Sequence, residues 1–466
     1  MFSLDILFLV SHSKEVPSDF KVFNIASIKL NSLLANDLRK LENNPKIICI
    51  VTGIGYKNTH LSLDWIKANI STKLIVNLGS CGSSNTTYFQ KIVCPQKFSF
   101  NNDSYLGLGL FPFLITESSI LKVSSCESVK ELTPHSNSEI TDMESFWHAE
   151  FCSKSDITYC SLKFVTDMND ANTQNAYIQN LNRLQDCFNC VIREIFTPVK
   201  GSVTVIIPTY NRAKFLKRSI DSVLKQTIKA NCIVVDDGST DETHEILSLY
   251  ESKIEVIRLA KNGGVSAARN SGILHSNSNW ICFLDSDDEW RLDKLENQLD
   301  FHEKHPYFSV FQSQENWIRD NKKINKKKHF NKVSGFIWDV CLNRCMISAS
   351  SVIIRKEVFN KFGLFDKSLP ICEDYDLWLR LSRHLLIGLE NSFSLNKFAG
   401  HINQLSTTYV AMDRFRVFAL KKALKNEFHP DFYKKLQDII SAKENVLIKG
   451  KLKRGGKSVY YNENLL

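Results

Sequence analysis

The sequence predicts an α/β fold built on parallel sheets. Short buried apolar segments alternate with amphipathic helical segments along both halves of the chain, which is typical of strand–helix–strand units. Polar or acidic residues directly follow several of the apolar segments, as expected where ligands bind beyond the carboxyl ends of parallel strands. The 466 residues suffice for two or three domains.

The composition is that of a globular protein. An apolar fraction of 43% and a charged fraction of 23% exclude collagen-like, low-complexity and wholly disordered chains. The formal charge of +9 permits an anionic partner without requiring one. No apolar run approaches the ~20 residues that cross a bilayer, and Asp5 before the apolar run is unlike a secretory signal. We therefore expect a cytoplasmic protein, at most peripheral to a membrane.

The 13 cysteines are scattered along the chain. Only Cys187 and Cys190 have C-x-x-C spacing, and they fall in a helical pattern without a second pair. Such a pair is a weak zinc signal, so the sequence predicts reduced, mostly buried thiols.

A short segment of helix-breaking residues, 197–201, divides the chain. A helix is predicted before it, over Thr173–Phe196, and a strand begins after it at Val203. The predicted domains are residues 1–197, residues 198–408 and a helical, basic C-terminal tail, 409–466.

The elements of both halves follow from their apolar patterns. In the first half, the predicted strands are Ile6–Val10, Ile47–Val51, Leu74–Asn77 and Tyr159–Val165, with a helix between the second and third. In the second half, the predicted strands are Val203–Ile207, Cys232–Val235, Ile254–Leu259 and Trp280–Leu284, and the predicted helices are Ala213–Lys225 and Val265–His275. Ser239–Glu242 has the pattern of a capping box, which predicts a helix opening there.

Three strand ends of the second half carry polar groups. They are Pro208–Asn211, Asp236–Ser239 and Asp285–Asp288. Carboxylates gathered at one sheet edge are costly to bury without a partner. An oxygen-ligated divalent cation, Mg²⁺ or Mn²⁺, satisfies them, and such a cation typically holds a diphosphate. The sequence therefore predicts a nucleoside diphosphate as the leaving group.

Five blocks of the second half together resemble family 2 glycosyltransferases, an inverting family with the GT-A fold. They occur in the order and at the spacing of that family, across residues 202–406. The blocks are Val203–Arg212, Val234–Asp241, Asn262–Gly272, Phe283–Asp288 and Glu373–Arg380. The resemblance implies transfer of a sugar from a nucleotide-diphosphate-sugar to an acceptor hydroxyl, in glycan or polysaccharide synthesis.

The resemblance also implies roles for individual residues. The nucleotide-sugar would contact Pro208, Thr209, Tyr210, Asp237, Arg269 and Asp285. The metal would be held by Asp287, with Asp285 reaching either ribose or metal. His401, near the end of the family pattern, would approach the metal or the diphosphate.

Asp374 would be the general base of the reaction. An inverting transfer needs a carboxylate that takes the acceptor proton as the hydroxyl attacks the anomeric carbon. Asp374 lies far downstream of the acidic strand ends, so it can face the metal across the sugar. In the alternative interpretation, Glu373 and Asp374 are only favourable charges at a helix N-terminus.

The first half resembles the nucleoside phosphorylase and nucleosidase superfamily. Gly-bearing turns follow two predicted strands, Asp142–Ser145 opens a predicted helix, and Asp167 ends a strand. The resemblance implies that residues Gly79 to Gly82 approach phosphate or water, that Met143 and Glu144 bind ribose, and that Asp167 protonates the leaving base.

The first half also departs from that superfamily. Its members have an acidic residue near the N-terminus that activates water, and Glu15 is the nearby candidate in surroundings that do not match. Gln90–Pro95 lacks an expected Gly-Asp. Active, binding-only and inert versions of this half remain open.

The sequence leaves two alternative functions, a nucleoside-cleaving enzyme and a non-catalytic nucleotide-binding protein. The intact acidic blocks disfavour the second. The expected partners are a nucleotide-sugar donor and a glycan or lipid-linked acceptor. The basic runs Lys322–Lys328 and Lys449–Lys457 are either solvated segments or contacts to an acidic or lipid surface. No nucleic-acid-binding module is recognisable, so no nucleic-acid partner is expected.

Overall fold

The protein is described here by a computed structural model. Within the described residues, the chain divides into two compact units, Met1–Thr197 and Pro198–Leu466. The described residues are 2–21, 26–29, 47–101, 103–106, 113, 120–128, 139–168, 173–320, 322–324, 331–398, 400, 409, 411–427 and 430–453.

The N-terminal unit is a layered α/β structure. Its strands are β1 (Phe2–Leu4), β2 (Ile6–Val10), β3 (Ala26–Lys29), β4 (Ile47–Val51), β5 (Ile70–Thr72), β6 (Leu74–Gly82), β7 (Ile92–Phe100), β8 (Asp103–Leu106), β9 (Ile120–Ser128), β10 (Ile140–Asp142) and β11 (Thr158–Asp167). Its helices are α1 (Tyr56–Asn69), α2 (Ser145–Lys154) and α3 (Thr173–Phe196), with 3₁₀ turns at Ser18–Phe20 and Thr86–Tyr88.

Nine of these strands, among the described residues, form a mixed sheet ordered β10-β9-β7-β11-β6-β2-β4-β3, with β8 beside β7. Strands β3, β4, β2, β6 and β11 run parallel, whereas β7 is antiparallel to β11. The central strands are apolar and buried on both faces, as strands covered by helices must be. The carboxyl ends of β6 and β11 therefore lie side by side.

The C-terminal unit is also α/β. Its strands are β12 (Val203–Thr209), β13 (Asn231–Asp236), β14 (Glu255–Arg258), β15 (Trp280–Phe283), β16 (Glu289–Trp290), β17 (Val310–Arg319), β18 (Lys322–Ile324), β19 (Val352–Arg355) and β20 (Ile387–Phe398). Its helices are α4 (Ala213–Leu224), α5 (Thr243–Ser248), α6 (Val265–His275), α7 (Lys294–Lys304), α8 (Trp338–Asn343), α9 (Lys356–Phe362), α10 (Glu373–His384), α11 (Asp413–Lys425) and α12 (Pro430–Lys453), with a 3₁₀ turn at Ala349–Ser351.

Its sheet, again of nine strands in the described part, has the order β14-β13-β12-β15-β19-β17-β20-β16, with β18 beside β17. Strands β14, β13, β12 and β15 are parallel. The chain runs from β12 outward to β13 and β14, then returns to place β15 on the other side of β12. Ligands bind at such a reversal in open α/β sheets, so the edge beyond β12, β13 and β15 is the expected site.

Most predicted elements are confirmed within one or two residues at their ends. The strand predicted as Leu74–Asn77 is an exception, because β6 continues to Gly82, so the predicted glycine-bearing turn at Gly79–Gly82 is wrong and these residues lie within the strand. Helices Thr173–Phe196 and Val265–His275 have the predicted bounds. The capping box at Ser239–Glu242 is wrong, because the helix begins at Thr243. The Ser239 hydroxyl instead accepts the backbone N–H of Asn211. The N-cap residue, Glu242, forms no side-chain capping hydrogen bond, and Asp241 Oδ1 accepts the backbone N–H of Thr243 at 3.1 Å.

The cysteines are in the reduced, mostly buried state that the sequence predicts. All 13 cysteines are free thiols, and most are buried. Cys187 and Cys190 both lie on α3 without a disulfide between them. Among the described helices, none combines the length and the apolar character needed to span a membrane.

Candidate active site

A cavity of about 790 Å³ lies beyond the carboxyl ends of β12, β13 and β15. Elements distant in sequence meet around it, including the segment before α10 and the end of β20. It brings together the site residues predicted for this half, apart from His401, which is outside the described residues. The predicted residues that line it are Pro208, Thr209, Tyr210, Asp237, Arg269, Asp285, Asp287 and Asp374.

Asp237 joins the second sequence block, Val234–Asp241, to the third, Asn262–Gly272, by hydrogen bonds. Its two carboxylate oxygens accept the backbone N–H groups of Gly263 and Gly264, each at 2.8 Å. Gly264 has a φ of 87°, a left-handed conformation that glycine adopts without steric cost. Burial raises the pKa of Asp237, and the two N–H groups oppose that rise. The residue therefore shapes the wall of the cavity as well as lining it.

Arg269 forms the electrostatic centre of the site. Its Nη2 lies 2.8 Å from Asp285 Oδ1, and its Nη1 lies 2.5 Å from Glu373 Oε1. Burial opposes the charge on Asp285, but Arg269 and then Lys397 outweigh it and lower the pKa of Asp285. Asp285 is therefore ionised at neutral pH.

The carboxylates of the fourth sequence block, Phe283–Asp288, lie in two different environments. Asp288 is buried, where its two oxygens accept the Ser350 hydroxyl at 2.7 Å and the Phe398 backbone N–H at 3.0 Å. Burial raises the pKa of Asp288 well above its ordinary value. Asp285 and Asp287 line the cavity, and the Asp287 backbone carbonyl accepts a hydrogen bond from Arg218.

Asp374 lies in the first turn of α10. The preceding Cys372 has a φ of 64°, a left-handed conformation that turns the chain into the helix. Asp374 Oδ1 accepts its neighbour's backbone N–H, that of Tyr375, at 2.7 Å. Its Oδ2 accepts the Cys345 thiol at 3.3 Å. The carboxylate thus lines the cavity with a fixed orientation.

A family model matches the sequence of the C-terminal unit. The model described as "Glycosyl transferase family 2" matches residues 204–363. An uncharacterized glycosyltransferase of Rickettsia prowazekii (strain Madrid E) is 30% identical over 247 residues, covering 50% of this chain and 76% of its own. The chain belongs to glycosyltransferase family 2.

The chain is also similar to proteins whose names describe a glycosyltransferase activity or a nucleotide-sugar complex. The putative teichuronic acid biosynthesis glycosyltransferase TuaG of Bacillus subtilis (strain 168) is 32% identical, covering 39% of this chain and 72% of its own. The UDP-Glc:alpha-D-GlcNAc-diphosphoundecaprenol beta-1,3-glucosyltransferase WfgD of Escherichia coli is 30% identical, covering 46% and 81%. The S. aureus TarS 1–349 structure with UDP-GlcNAc has 21% identity and a TM-score of 0.43, covering 51% and 71%.

The predicted function is confirmed at the level of the family. This family 2 glycosyltransferase uses a nucleotide-sugar in glycan synthesis. The roles predicted for single residues and for a metal stay predictions. Among the described residues, no group of three or more His, Cys, Asp or Glu side chains is arranged to hold a metal ion.

Three residues around the glycosyltransferase cavity were not predicted from the sequence. Cys345 contacts Asp374, Ser350 supports the acidic loop, and Lys397 lines the cavity. No local pattern marks them, because each lies outside the five blocks and reaches the site only through folding. Glu373 had a signal in the late acidic block, but its ion pair with Arg269 depends on a contact between α6 and α10.

The N-terminal unit gathers a second set of ionisable groups. The buried Glu15 accepts the Ser80 hydroxyl at 2.7 Å and the Ser80 backbone N–H at 3.2 Å. A Cβ at Gly79 would lie 3.2 Å from Lys163 Nζ and 3.7 Å from Glu15 Oε2. Glu15 therefore reaches the Gly79–Gly82 strand end, although its sequence surroundings did not match the superfamily pattern.

The other predicted residues of this unit lie at adjacent strand and helix ends. Glu144, just before α2, accepts the Gly55 backbone N–H at 2.9 Å, and burial raises its pKa to about 7. Met143 lies 3.9 Å from the position of a Gly55 Cβ. Asp167 ends β11 beside Gly82, and its carboxylate accepts the Thr166 hydroxyl at 2.9 Å.

A buried ion pair supports this second set. Lys163 Nζ lies 2.8 Å from Asp142 Oδ2, and both side chains are about 1% exposed. Burial opposes the charge on Lys163, but Asp142 and Glu144 outweigh it and raise the pKa of that lysine. No local pattern marks Lys163, because a lysine inside a β-strand pattern gives no sign of its partner.

Proposed function

We propose that residues 198–408 catalyse an inverting, hexosyltransferase-type transfer from a nucleoside-diphosphate sugar to an acceptor hydroxyl, with Asp374 as the general base. The observation that carries the proposal is a single cavity of about 790 Å³ lined by three kinds of predicted residue. It holds the nucleoside-side residues Thr209 and Tyr210, the acidic pair Asp285 and Asp287, and Asp374.

The nucleoside would bind beside the end of β12. The side chain of Tyr210 is 42% exposed at the cavity, so its ring is available to stack on a base. The Thr209 hydroxyl is buried without a hydrogen-bond partner among the described residues. A buried hydroxyl of this kind favours a ligand that supplies the missing partner.

The acidic pair fits a divalent cation that arrives with the diphosphate. Mg²⁺ is typically held by one or two carboxylates, substrate phosphates and water, rather than by a complete protein cage. Asp285 and Asp287 offer hard oxygen ligands at the cavity, whereas Asp288 is committed to Ser350 and Phe398. Bound Mg²⁺ or Mn²⁺ would neutralise charge on the leaving diphosphate.

Glu373 and Asp374, two adjacent carboxylates at the start of α10, would have different roles. Glu373 is buried, and its ion pair with Arg269 makes it part of the scaffold. Burial raises the pKa of Glu373 to about 7, with Asp374 adding to the rise and Arg269 opposing it. Asp374 faces the cavity and would take the acceptor proton.

The acceptor would be a glycan or a lipid-linked glycan. WfgD, by its name, glucosylates a diphosphoundecaprenol-linked sugar, and that chemistry transfers to this chain as a proposal. A cytoplasmic protein that touches the membrane surface would meet such an acceptor. The basic residues of the C-terminal tail, Lys449–Lys457, would suit an anionic lipid surface.

Calorimetry with the full chain tests this proposal. UDP-, GDP-, CDP- and dTDP-sugars are titrated with Mn²⁺ and with a chelator. We expect one nucleotide class to bind, with the affinity falling in the chelator. Failure of every nucleotide-sugar to bind would contradict the proposal, whereas binding unaffected by the chelator would contradict only the role of the metal.

We also propose that the N-terminal unit binds a nucleoside. The observation that favours this proposal is the hydrogen bond from the Ser80 hydroxyl to Glu15, beside Gly79 and Lys163. A water or a phosphate would approach at this point. Glu144 would bind ribose hydroxyls, and Asp167 would face the base. We expect nucleoside binding with weak or absent cleavage, and release of free base from purine nucleosides tests it.

A further inference from the structure

Lys397 is a cationic side chain at the glycosyltransferase cavity to which no sequence block assigns a role. It lies one residue before the end of β20 and lines the cavity together with Asp285, Asp287 and Asp374. The other buried cation of this site, Arg269, already forms ion pairs with Asp285 and Glu373. Of the two lysines that line the cavity, Lys367 is exposed, whereas Lys397 is half-buried and has capacity for a ligand.

The ammonium group of Lys397 forms a single hydrogen bond with the described residues. Nζ donates to the Ser348 hydroxyl at 3.1 Å, and within the described part of the chain it forms no ion pair with a carboxylate. An ammonium group has three N–H donors. Two of them therefore have no acceptor among the described residues, at the wall of a cavity that fits an anion.

Lys397 remains charged in this setting. Burial lowers its pKa, but the carboxylates of Asp288, Glu315 and Asp285 outweigh that effect and hold the pKa above its ordinary value. Their attraction acts at a distance, because none of them forms an ion pair with the ammonium group.

Each of these carboxylates has a closer partner than Lys397, whose charge also lowers the pKa of Asp285 from a distance. Glu315 Oε2 lies 3.0 Å from Lys332 Nζ in a buried ion pair. Asp288 accepts the Ser350 hydroxyl and the Phe398 N–H, and Asp285 pairs with Arg269. None of the three carboxylates therefore holds Lys397 in an ion pair, and its ammonium group stays available to a ligand.

We propose that Lys397 contacts the β-phosphate of the donor and stabilises the nucleoside diphosphate as it leaves. The inference rests on the proposed function of this cavity. In the transfer, the bond between the anomeric carbon and the β-phosphate oxygen breaks and its electron pair stays on that oxygen. The acceptor oxygen bonds to the anomeric carbon, and its proton passes to Asp374. Charge therefore develops on the diphosphate, where a fixed ammonium group stabilises the transition state.

Nucleotide affinities of the full chain test this contact. Calorimetry compares a nucleoside diphosphate with the matching monophosphate, using the base that binds the wild type best. Lys397→Met should weaken diphosphate binding by about 10- to 100-fold, the effect of one charge-assisted hydrogen bond, and leave monophosphate binding within about twofold. Lys397→Arg should restore most of the loss. Lys229→Met removes an exposed charge outside the cavity and should change neither affinity.

Each other outcome contradicts a defined part of the inference. Equal loss of both nucleotides in Lys397→Met, or no loss of either, would overturn the β-phosphate contact. If that variant does not fold, Lys397→Gln, which keeps polarity but not charge, must show the same selective loss. If the wild type binds no nucleoside diphosphate, the proposed function of the cavity fails together with this inference.

Discussion

Arg269 and Asp285 form an ion pair of 2.8 Å at the wall of the glycosyltransferase cavity, and the arginine is only 4% exposed. The pair joins helix α6 to the acidic loop after β15. Because the same guanidinium also binds Glu373 of α10, one side chain ties together three sequence blocks. The proposed donor subsite and the start of α10, which carries the proposed base, are thus organised around a single buried charge.

Replacing Arg269 should therefore lower the free energy of unfolding of the protein. Arg269→Met leaves Asp285 and Glu373 without their cation, and breaking a buried pair in this way typically costs about 3–5 kcal/mol. Urea unfolding followed by tryptophan fluorescence measures the loss. The matched control, Arg258→Met, removes an exposed arginine whose guanidinium lies 3.3 Å from a ring nitrogen of His244, and it should shift stability little. A stable Arg269→Met protein would contradict the organising role.

Asp287→Ala should abolish metal-dependent nucleotide binding without unfolding the unit. Asp287 lines the cavity at the end of the acidic loop, and the carboxylate that supports this loop is Asp288. Calorimetry with and without Mn²⁺ checks the prediction. Asp293→Ala, at the surface ion pair with Arg291, is the control and should bind like the wild type. Unchanged Mn²⁺-dependent binding in Asp287→Ala would rule out the metal role.

Lys294 is a buried cation whose removal should stabilise the protein. Its Nζ donates to Gln298 and lies 3.9 Å from the Trp290 ring centroid, yet burial lowers its pKa from 10.5 to about 8. A shift of this size corresponds to a cost of roughly 3 kcal/mol, partly offset by the two contacts. Lys294→Met should therefore gain about 1–2 kcal/mol at pH 7.

The sign of the pH dependence follows from the depressed pKa of Lys294. The cost of burying its charge is fully present below about pH 8 and disappears as the pH rises toward 10.5. The stability gap between Lys294→Met and the wild type should close over that interval. Urea unfolding at pH 7 and pH 10 measures the gap, with the exposed Lys304→Met as the control. A gap that is absent at pH 7, or that widens with pH, would contradict the prediction.

In the N-terminal unit, Glu144→Gln should weaken nucleoside binding by about tenfold, because an amide replaces a carboxylate acceptor for ribose hydroxyls. Binding of adenosine, inosine and methylthioadenosine to the full chain is measured by calorimetry, with and without phosphate. Glu150→Gln, on the helix α2 that Glu144 precedes, is the control, since Glu150 pairs with Lys154 at the surface.

Release of free base from the same nucleosides distinguishes binding from catalysis. We expect slow release or none. Rapid release that disappears in Asp167→Asn would show that this unit is an active nucleoside-cleaving enzyme. If none of the three nucleosides binds, the proposed nucleoside site is wrong.

Local patterns predicted the elements and the acidic blocks, because these depend on neighbouring residues. The strand Cys232–Val235, observed as Asn231–Asp236, and the helix Val265–His275 follow from their apolar patterns. The shared cavity of Asp287 and Asp374 also followed from sequence, through the resemblance between blocks far apart in the chain. Parallel strands bring such blocks to one sheet edge.

Contacts between distant side chains could not be predicted in this way. Lys397 and Ser348 lie 49 residues apart, and Glu15 and Ser80 lie 65 apart. The same limit explains the failed capping box, where Ser239 binds the backbone of Asn211, 28 residues away, instead of its own helix. In each case the partner is set by the tertiary fold, which outweighs the local preference.

Turnover by Asp374→Asn tests the central claim most directly. The amide preserves the shape of the side chain but cannot accept the acceptor proton. Transfer from the nucleotide-sugar that binds the wild type is followed by release of nucleoside diphosphate, with donor affinity measured in parallel by calorimetry. We predict unchanged donor binding and a turnover lower by about 10²–10⁴-fold, the usual contribution of a general base. Turnover close to that of the wild type, or a collapse of donor affinity instead, would contradict the account.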